Sequence, residues 1–359
     1  MKFIHCSDLH LDSRMETHLS AEQARARGRE ICDTFGRLMD YAKQNGVTAV
    51  IVAGDLFDTR RVTAKTAAFV LDAVAAAPGV DLLYLRGNHD ESALAFADRT
   101  LPPNLKPFGT RWTRFDYENV TIAGIELTDD NCTRLYDALP LEAGRINIAV
   151  LHGQIASQPG PEFVCLPLLR EKNIRYLALG HLHSYQTGRL DAAGEYAYCG
   201  CLEGRGFDEC GEKGFVLLET GGAGLQASFV PFARRTLHEV PVDITGLDTV
   251  PQIARAMQQA SASLPADDLV RFVLQGSCAP DTQKDPAFLC QQLAGRFYFV
   301  QVKDKSRLHI DPESYRHDVS LKGEFIRLVM DSGLDDEEKD RIIRCGLQAL
   351  AGEEIELCD

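Results

Sequence analysis

Val47 to Ala53 reads VTAVIVA, a continuous, largely β-branched run that stops at Gly54-Asp55. A strand of this kind has no face to give to water, so it must be covered on both sides, as strands of parallel sheets are. A long helical stretch from about Ala21 to Asn45 precedes it, and the alanine-rich TAKTAAFVLDAVAAAP follows as a helix stopped near Pro78. FIHC at 3–6 and Asp81 to Leu85 read as further strands. The order β-α-β-α-β, with polar residues after each strand, predicts a largely parallel sheet.

The next region is different. NVTIAGIEL, INIAVLH, RYLALGH, EYAYCG, KGFVLLE and LQASFVPF are strands with few helices between them. They predict a second, more antiparallel sheet packed on the first, and hence an α/β, four-layer α-β-β-α sandwich over residues 1–235. Composition shifts after Arg234-Arg235 to a compact α/β module at 236–311. A two-helix tail at 312–359 closes the chain, with helices near 320–332 and 335–351. The second opens with DDEE, whose charge suits a helix N-terminus.

The formal net charge of -14 argues against unaided binding to DNA phosphates, because no general basic field is available. Bound cations or a partner would have to supply the positive charge. Eleven scattered cysteines without CxxC pairs predict reduced thiols in a cytoplasmic protein. The one local cluster, Cys199, Cys201 and Cys210, lacks a fourth ligand and the usual zinc spacing, and reads as ordinary thiols. MKFIHCSDLH is too short for a signal peptide, and no apolar run reaches the ~18 residues of a membrane span. A soluble protein with no membrane association is expected.

The chemistry lies where strands stop. LALGHLH ends in His181 and His183, whose alternation in an extended chain would turn both rings to one side and Leu182 to the core. Asp8 and His10, Asp55 and Asp58, Asn88 and His89, and His152 likewise follow strands. Ligands of open α/β sheets collect at the carboxyl ends of strands, so these five segments can converge. Imidazole, carboxylate and amide donors together suit Mn, Fe or Zn better than Ca. They exceed what one ion needs, and they fit two divalent ions about 3.5–4 Å apart, sharing a carboxylate.

DLH at 8–10, GDLFD at 54–58, GNHD at 87–90, HG at 152–153 and GHLH at 180–183 resemble the five signatures of calcineurin-like metallophosphoesterases. SDLHLD, CLEGRGFDECGEKGF at 201–215 and the module after 235 are similar to the SbcD/YhaO-type DNA repair exonuclease branch. The resemblance implies a metallophosphoesterase domain at 1–235 and metal-dependent phosphodiester hydrolysis on DNA by a metal-activated water. It implies Asp8, His10 and His183 on one metal, Asn88, His152 and His181 on the other, and Asp55 between them. Manganese is the expected metal, with Fe or Zn as alternatives. His89 would stay off the metals, donating a proton to the leaving oxygen or stabilising charge on the phosphate.

Two positions depart from that pattern. Asp58 stands where close nuclease relatives often have histidine; it either pairs with His89, as in the phosphatase branches, or caps the following turn. Cys201 stands where relatives commonly carry serine. Arg60 and Arg61, just after GDLFD, and Lys303 and Lys305, in the module that by resemblance caps DNA, are the candidate DNA contacts. The tail helices, by the same resemblance, would dock on an SMC-like ATPase, and relatives often form homodimers. Two other functions stay open: a phosphomonoesterase or cyclic-nucleotide phosphodiesterase of small substrates, and a non-catalytic scaffold.

Overall fold

Val50 and Val52 turn toward one apolar core, and Ala49, Ile51 and Ala53 toward another. This division, visible in a computed structural model of the chain, is the physical reason VTAVIVA has no polar break. Residues 1–13, 15, 19–58, 62–90, 96, 99–222, 224–279, 282–308 and 317–351 are described. Arg60 and Arg61 lie outside them. The chain divides into two units, Met1–Thr236 and Leu237–Asp359.

The first unit holds two six-stranded sheets. One runs Gly224–Pro231, Gly214–Gly221, Lys2–Cys6, Ala49–Ala53, Asp81–Leu85, Leu105–Pro107 in spatial order. The other runs Gln186–Arg189, Glu195–Tyr198, Tyr176–Gly180, Ile146–His152, Val120–Gly124, Thr113–Tyr117. Phe3, Ile51 and Leu83 of the first sheet meet Ile122, Val150 and Ala178 of the second in a shared core. Each of the larger of these side chains gains roughly 1.5–3 kcal/mol by leaving water.

The outer face of the first sheet, through Ile4, Val50, Val52 and Leu82, packs on helices Ala21–Gln44 and Ala64–Ala75. Ser20 and Thr63 cap their N-termini. The outer face of the second sheet, through Ala149, Leu151, Leu177 and Leu179, is covered by Leu135, Tyr136 and Leu169, from a turn segment and the 3-10 helix Leu166–Leu169. The layers are helix, sheet, sheet, and this thinner cover.

The expected antiparallel character of the second sheet is corrected. Its four central strands are mutually parallel, and only its two edge pairings are antiparallel. Its crossovers are built from turns rather than α-helices, so the helical signal that usually announces parallel strands is missing. Gly214–Gly221 and Gly224–Pro231, assigned to the second sheet from sequence, extend the first as an antiparallel hairpin.

In the second unit Leu237–Asp243, Leu269–Gln275 and Phe299–Asp304 form a parallel sheet. Helices Val250–Ala260 and Pro286–Gln292 bury Ile253, Met257 and Leu289 with Phe272 and Leu274. Lys303 and Lys305 are exposed, on and just after the last of these strands. The tail helices Leu321–Met330 and Asp336–Ala351 pack through Ile326, Val329 and Ile343. Arg344 reaches Asp304 at 3.6 Å. No helix among the described residues is long and apolar enough to cross a membrane.

Candidate metal centre

Strand Lys2–Cys6 ends in a backbone that ordinary side chains resist. Asp8 and His10 have φ of 53° and 47°, and Asp55, after the neighbouring strand, has 53°. Such left-handed residues persist only where surrounding contacts fix them. Here the two loops lie side by side: Asp8 N–H donates to the Gly54 carbonyl at 3.0 Å, His10 N–H to the Asp55 carbonyl at 3.1 Å, and Leu11 N–H to the Leu56 carbonyl at 2.9 Å. Buried Asp90 accepts from the amides of Leu56, Phe57 and Gly87, clamping GDLFD to GNHD. Gly54 has φ +98, and a Cβ there would stand 2.0 Å from His152 Nδ1. Only glycine allows the two sheets to bring Asp55 and His152 this close.

Asp8, His10, Asp55 and His152 are buried, His181 and His183 partly so, and Asn88 and His89 exposed. The cluster therefore has a closed floor and an open side. Three groups bring ligand atoms within 4.8 Å of one another: Asp8, His10 and His183; Asp8, Asp55 and His152; His10, Asp58 and His89. Asn88 Oδ1 lies 2.9 Å from His152 Nε2. His181 stands in none of these groups, although its ring centroid is 5.5 Å from that of His152. Its amide donates to both Asp8 oxygens.

The extended path expected for residues 181–183 is corrected. The strand ends at Gly180, and His181 has φ 110. The two rings part, His181 toward His152 and His183 toward His10, while Leu182 packs into the outer core. Gly180 sits where a Cβ would meet the Ala53 carbonyl at 1.9 Å, so the chain turns at the point where the sheets touch.

Hydrogen-bond partners decide which ring nitrogens face the cluster. His152 Nδ1 is 2.9 Å from the Ala53 carbonyl and His183 Nδ1 is 2.7 Å from Glu209 Oε1; Asp58 Oδ1 stands 2.9 Å from His10 Nδ1 as a charge contact whose angle makes no hydrogen bond. The acceptors at His152 and His183 select the tautomer with the proton on Nδ1, leaving each of those two Nε2 atoms as a bare lone pair. Arg205 Nη2 also stands 3.2 Å from His183 Nδ1, but the shorter carboxylate contact decides that proton. The lone pair of His183 then faces His10 Nε2 across 3.1 Å. That of His152 faces Asn88 Oδ1 and, at 3.4 Å, Asp55 Oδ2. Lone pairs and carboxylates aimed at one another repel unless positive charge lies among them, so the donor set fits divalent cations.

The electrostatics agree. Burial opposes charge on His152, yet Asp55's hydrogen bond and charge, with Asp8, outweigh it and push its pKa up to about 9. Burial likewise works against ionised Asp55, and His152 and His10 outweigh it and hold its carboxyl down at about 2. Without a cation, a proton partly fills the cationic role. Asp90, by contrast, is pushed up to about 6, mainly by burial.

Asp58 lies nearer His10 than His89, whose Nδ1 is 3.5 Å away, so its first contact is with a candidate ligand. Sequence reading missed Glu209, Arg205 and Asp90. Glu209 and Arg205 lie in CLEGRGFDECGEKGF, where an acid and a guanidine four apart in a glycine-flanked loop were the available signal. Cys199 and Cys201 are buried free thiols, and none of the three clustered cysteines belongs to a candidate metal group among the described residues.

A model of the calcineurin-like phosphoesterase family matches residues 1–185. The uncharacterized metallophosphoesterase YhaO of Bacillus subtilis is 26% identical over 303 residues, covering 78% of this chain and 73% of that protein. The DNA double-strand break repair protein Mre11 of Aeropyrum pernix is 25% identical over 267 residues, covering 68% of this chain and 64% of that protein. Among solved structures, a dimetal phosphatase from Danio rerio aligns at TM-score 0.40 and 12% identity, covering 65% of this chain and 99% of that one. With five strand ends bearing this donor set and a family match across half its length, the chain belongs to the calcineurin-like phosphoesterases and is a metallophosphoesterase hydrolase.

Proposed function

We propose that the protein hydrolyses phosphodiester bonds of DNA with two divalent ions, Mn²⁺ in the first instance, in DNA repair beside an SMC-like ATPase. The observation that carries the metal reading is the set of Nε2 atoms of His10, His183 and His152 gathered with Asp8, Asp55 and Asn88. Asp8, His10 and His183 would hold one ion, Asn88, His152 and His181 the other, and Asp55 would serve both. When bound, the ions supply Lewis acidity at the phosphate and lower the pKa of water toward neutrality.

The chain's own groups do the rest. The buried carboxylates and imidazoles would hold the cations, and the exposed side would leave room for a phosphate. His89, exposed at the rim with its amide donating to Asp55 Oδ1 at 2.9 Å, would give a proton to the leaving oxygen. Cations held by these residues would also offset the acidic charge of the chain near a phosphate. The likeness to Mre11 supports DNA as substrate. We further propose a three-part organisation, 1–235, 236–311 and 312–359, in a cytoplasmic and homodimeric protein. In it Arg60, Arg61, Lys303 and Lys305 would contact DNA, and the tail helices the ATPase.

A second reading rests on Asp58: its oxygen within 3.5 Å of His89 also suits a phosphatase acting on small esters. Incubation with Mn²⁺ and either labelled linear DNA or p-nitrophenyl phosphate and its bis ester separates the two. DNA cleavage, and bis-ester hydrolysis exceeding that of the monoester, are expected. Efficient monoester turnover with intact DNA at high enzyme overturns the nuclease reading.

A further inference from the structure

His183 is held from three directions by one loop. Glu209 Oε1 meets its Nδ1 at 2.7 Å, buried Lys213 donates to its carbonyl at 2.7 Å, and Cys201 N–H reaches the same carbonyl at 3.4 Å. Arg205 braces this arrangement. Its amide donates to Glu209 Oε2 at 2.7 Å, its Nη2 to Glu209 Oε1 at 2.7 Å, and its Nη1 to Asp58 Oδ1 at 3.2 Å. Asp58 in turn lies 2.9 Å from His10 Nδ1. One guanidinium therefore joins the two carboxylates that orient His10 and His183.

The loop is itself anchored to the first helix. Fully buried Arg27 donates to the Gly204 carbonyl at 2.9 Å, and Thr34 donates to Glu203 at 2.7 Å. His152 is supported differently, by the Ala53 carbonyl and Asn88. The two halves of the cluster thus have separate supports.

We propose that Arg205 and Glu209 are positioning residues that set the metal affinity of the Asp8, His10 and His183 site alone, leaving the site at Asp55, Asn88 and His152 unchanged. This rests on the two-metal reading. Glu209 takes the Nδ1 proton of His183 and so raises the donor strength of its opposite nitrogen, while Asp58 sets a negative charge 2.9 Å from His10 Nδ1. Arg205 keeps both carboxylates in register through a planar fork that lysine cannot reproduce. A change at Arg205 then disturbs two ligands of one ion and none of the other.

The test is Mn²⁺ titration of the full chain by calorimetry and electron paramagnetic resonance, with Glu209→Gln and Arg205→Lys variants and melting curves as a folding control. The unsubstituted protein is expected to bind two ions and give the spectrum of a coupled pair. Glu209→Gln should keep one site and weaken the other by roughly 10–100-fold, giving an isolated-ion spectrum at one equivalent or more of metal. Arg205→Lys should shift the same site less, and it decides the question if Glu209→Gln does not fold. Two unchanged sites, or equal weakening of both, overturns the proposal while the two-metal reading stands. No metal bound by the unsubstituted protein overturns that reading itself.

Discussion

Asp58 Oδ1 sits 2.9 Å from His10 Nδ1 and 3.5 Å from His89 Nδ1, so one carboxylate oxygen addresses both a candidate metal ligand and the candidate acid. The shorter contact gives it a first duty toward the metal. Asp58→Asn keeps the shape but removes the negative charge beside His10 Nδ1. Mn²⁺ affinity should fall roughly tenfold or more, as outer-shell losses do. Activity should recover partly at high Mn²⁺. An unchanged metal dependence with an altered pH-rate profile would assign Asp58 to His89 instead.

His89 and His152 should fail in different ways. His89→Ala is expected to lower turnover by ~10²–10⁴, the usual worth of a positioned acid, with both metals retained. His152→Ala should lose metal, because its Nε2 faces Asn88 and Asp55. Metal counting after gel filtration distinguishes them; metal loss on His89→Ala would show that its role here is wrong.

Gly54→Ala should be among the more damaging single-methyl changes in the chain. Its φ of +98 is unfavourable for alanine, and the new Cβ would lie 2.0 Å from His152 Nδ1. Strain of this type is of order 1–3 kcal/mol before the clash is counted. A thermal melt should show a drop of several degrees together with weakened metal binding. Gly79→Ala, where a Cβ would meet nothing within 4 Å, is the control.

Metal-free stability should depend on pH through His152. Its folded pKa is raised from 6.5 to about 9, so its contribution is fully present below the unfolded value and lost as pH rises through about 9. The metal-free melting temperature should therefore decline across that window. Mn²⁺ must displace the same proton, so its affinity should climb over the same range. Melting curves from pH 6.5 to 9.5, with and without Mn²⁺, check both signs; parallel curves would contradict them.

Much of this site is legible in the sequence because strand ends announce themselves. VTAVIVA stopping at Gly54-Asp55 and LALG stopping at His181 mark buried strands whose last residues must emerge together. The supports are less legible. Glu209 reaches His183 across 26 positions, and Asp58 reaches His10 across 48, through loop paths with no periodic signal. The parallel centre of the second sheet was hidden for a related reason, since turns replaced the helices that normally mark crossovers. His181 shows the limit of periodicity: an extended chain turns 181 and 183 alike, and one φ of 110 separates them.

A crystal grown with Mn²⁺ and read by anomalous scattering tests the central claim most directly. Two peaks are predicted, one among Asp8, His10 and His183 and one among Asp55, Asn88 and His152. No peak among these residues, or a single ion elsewhere, would contradict the account.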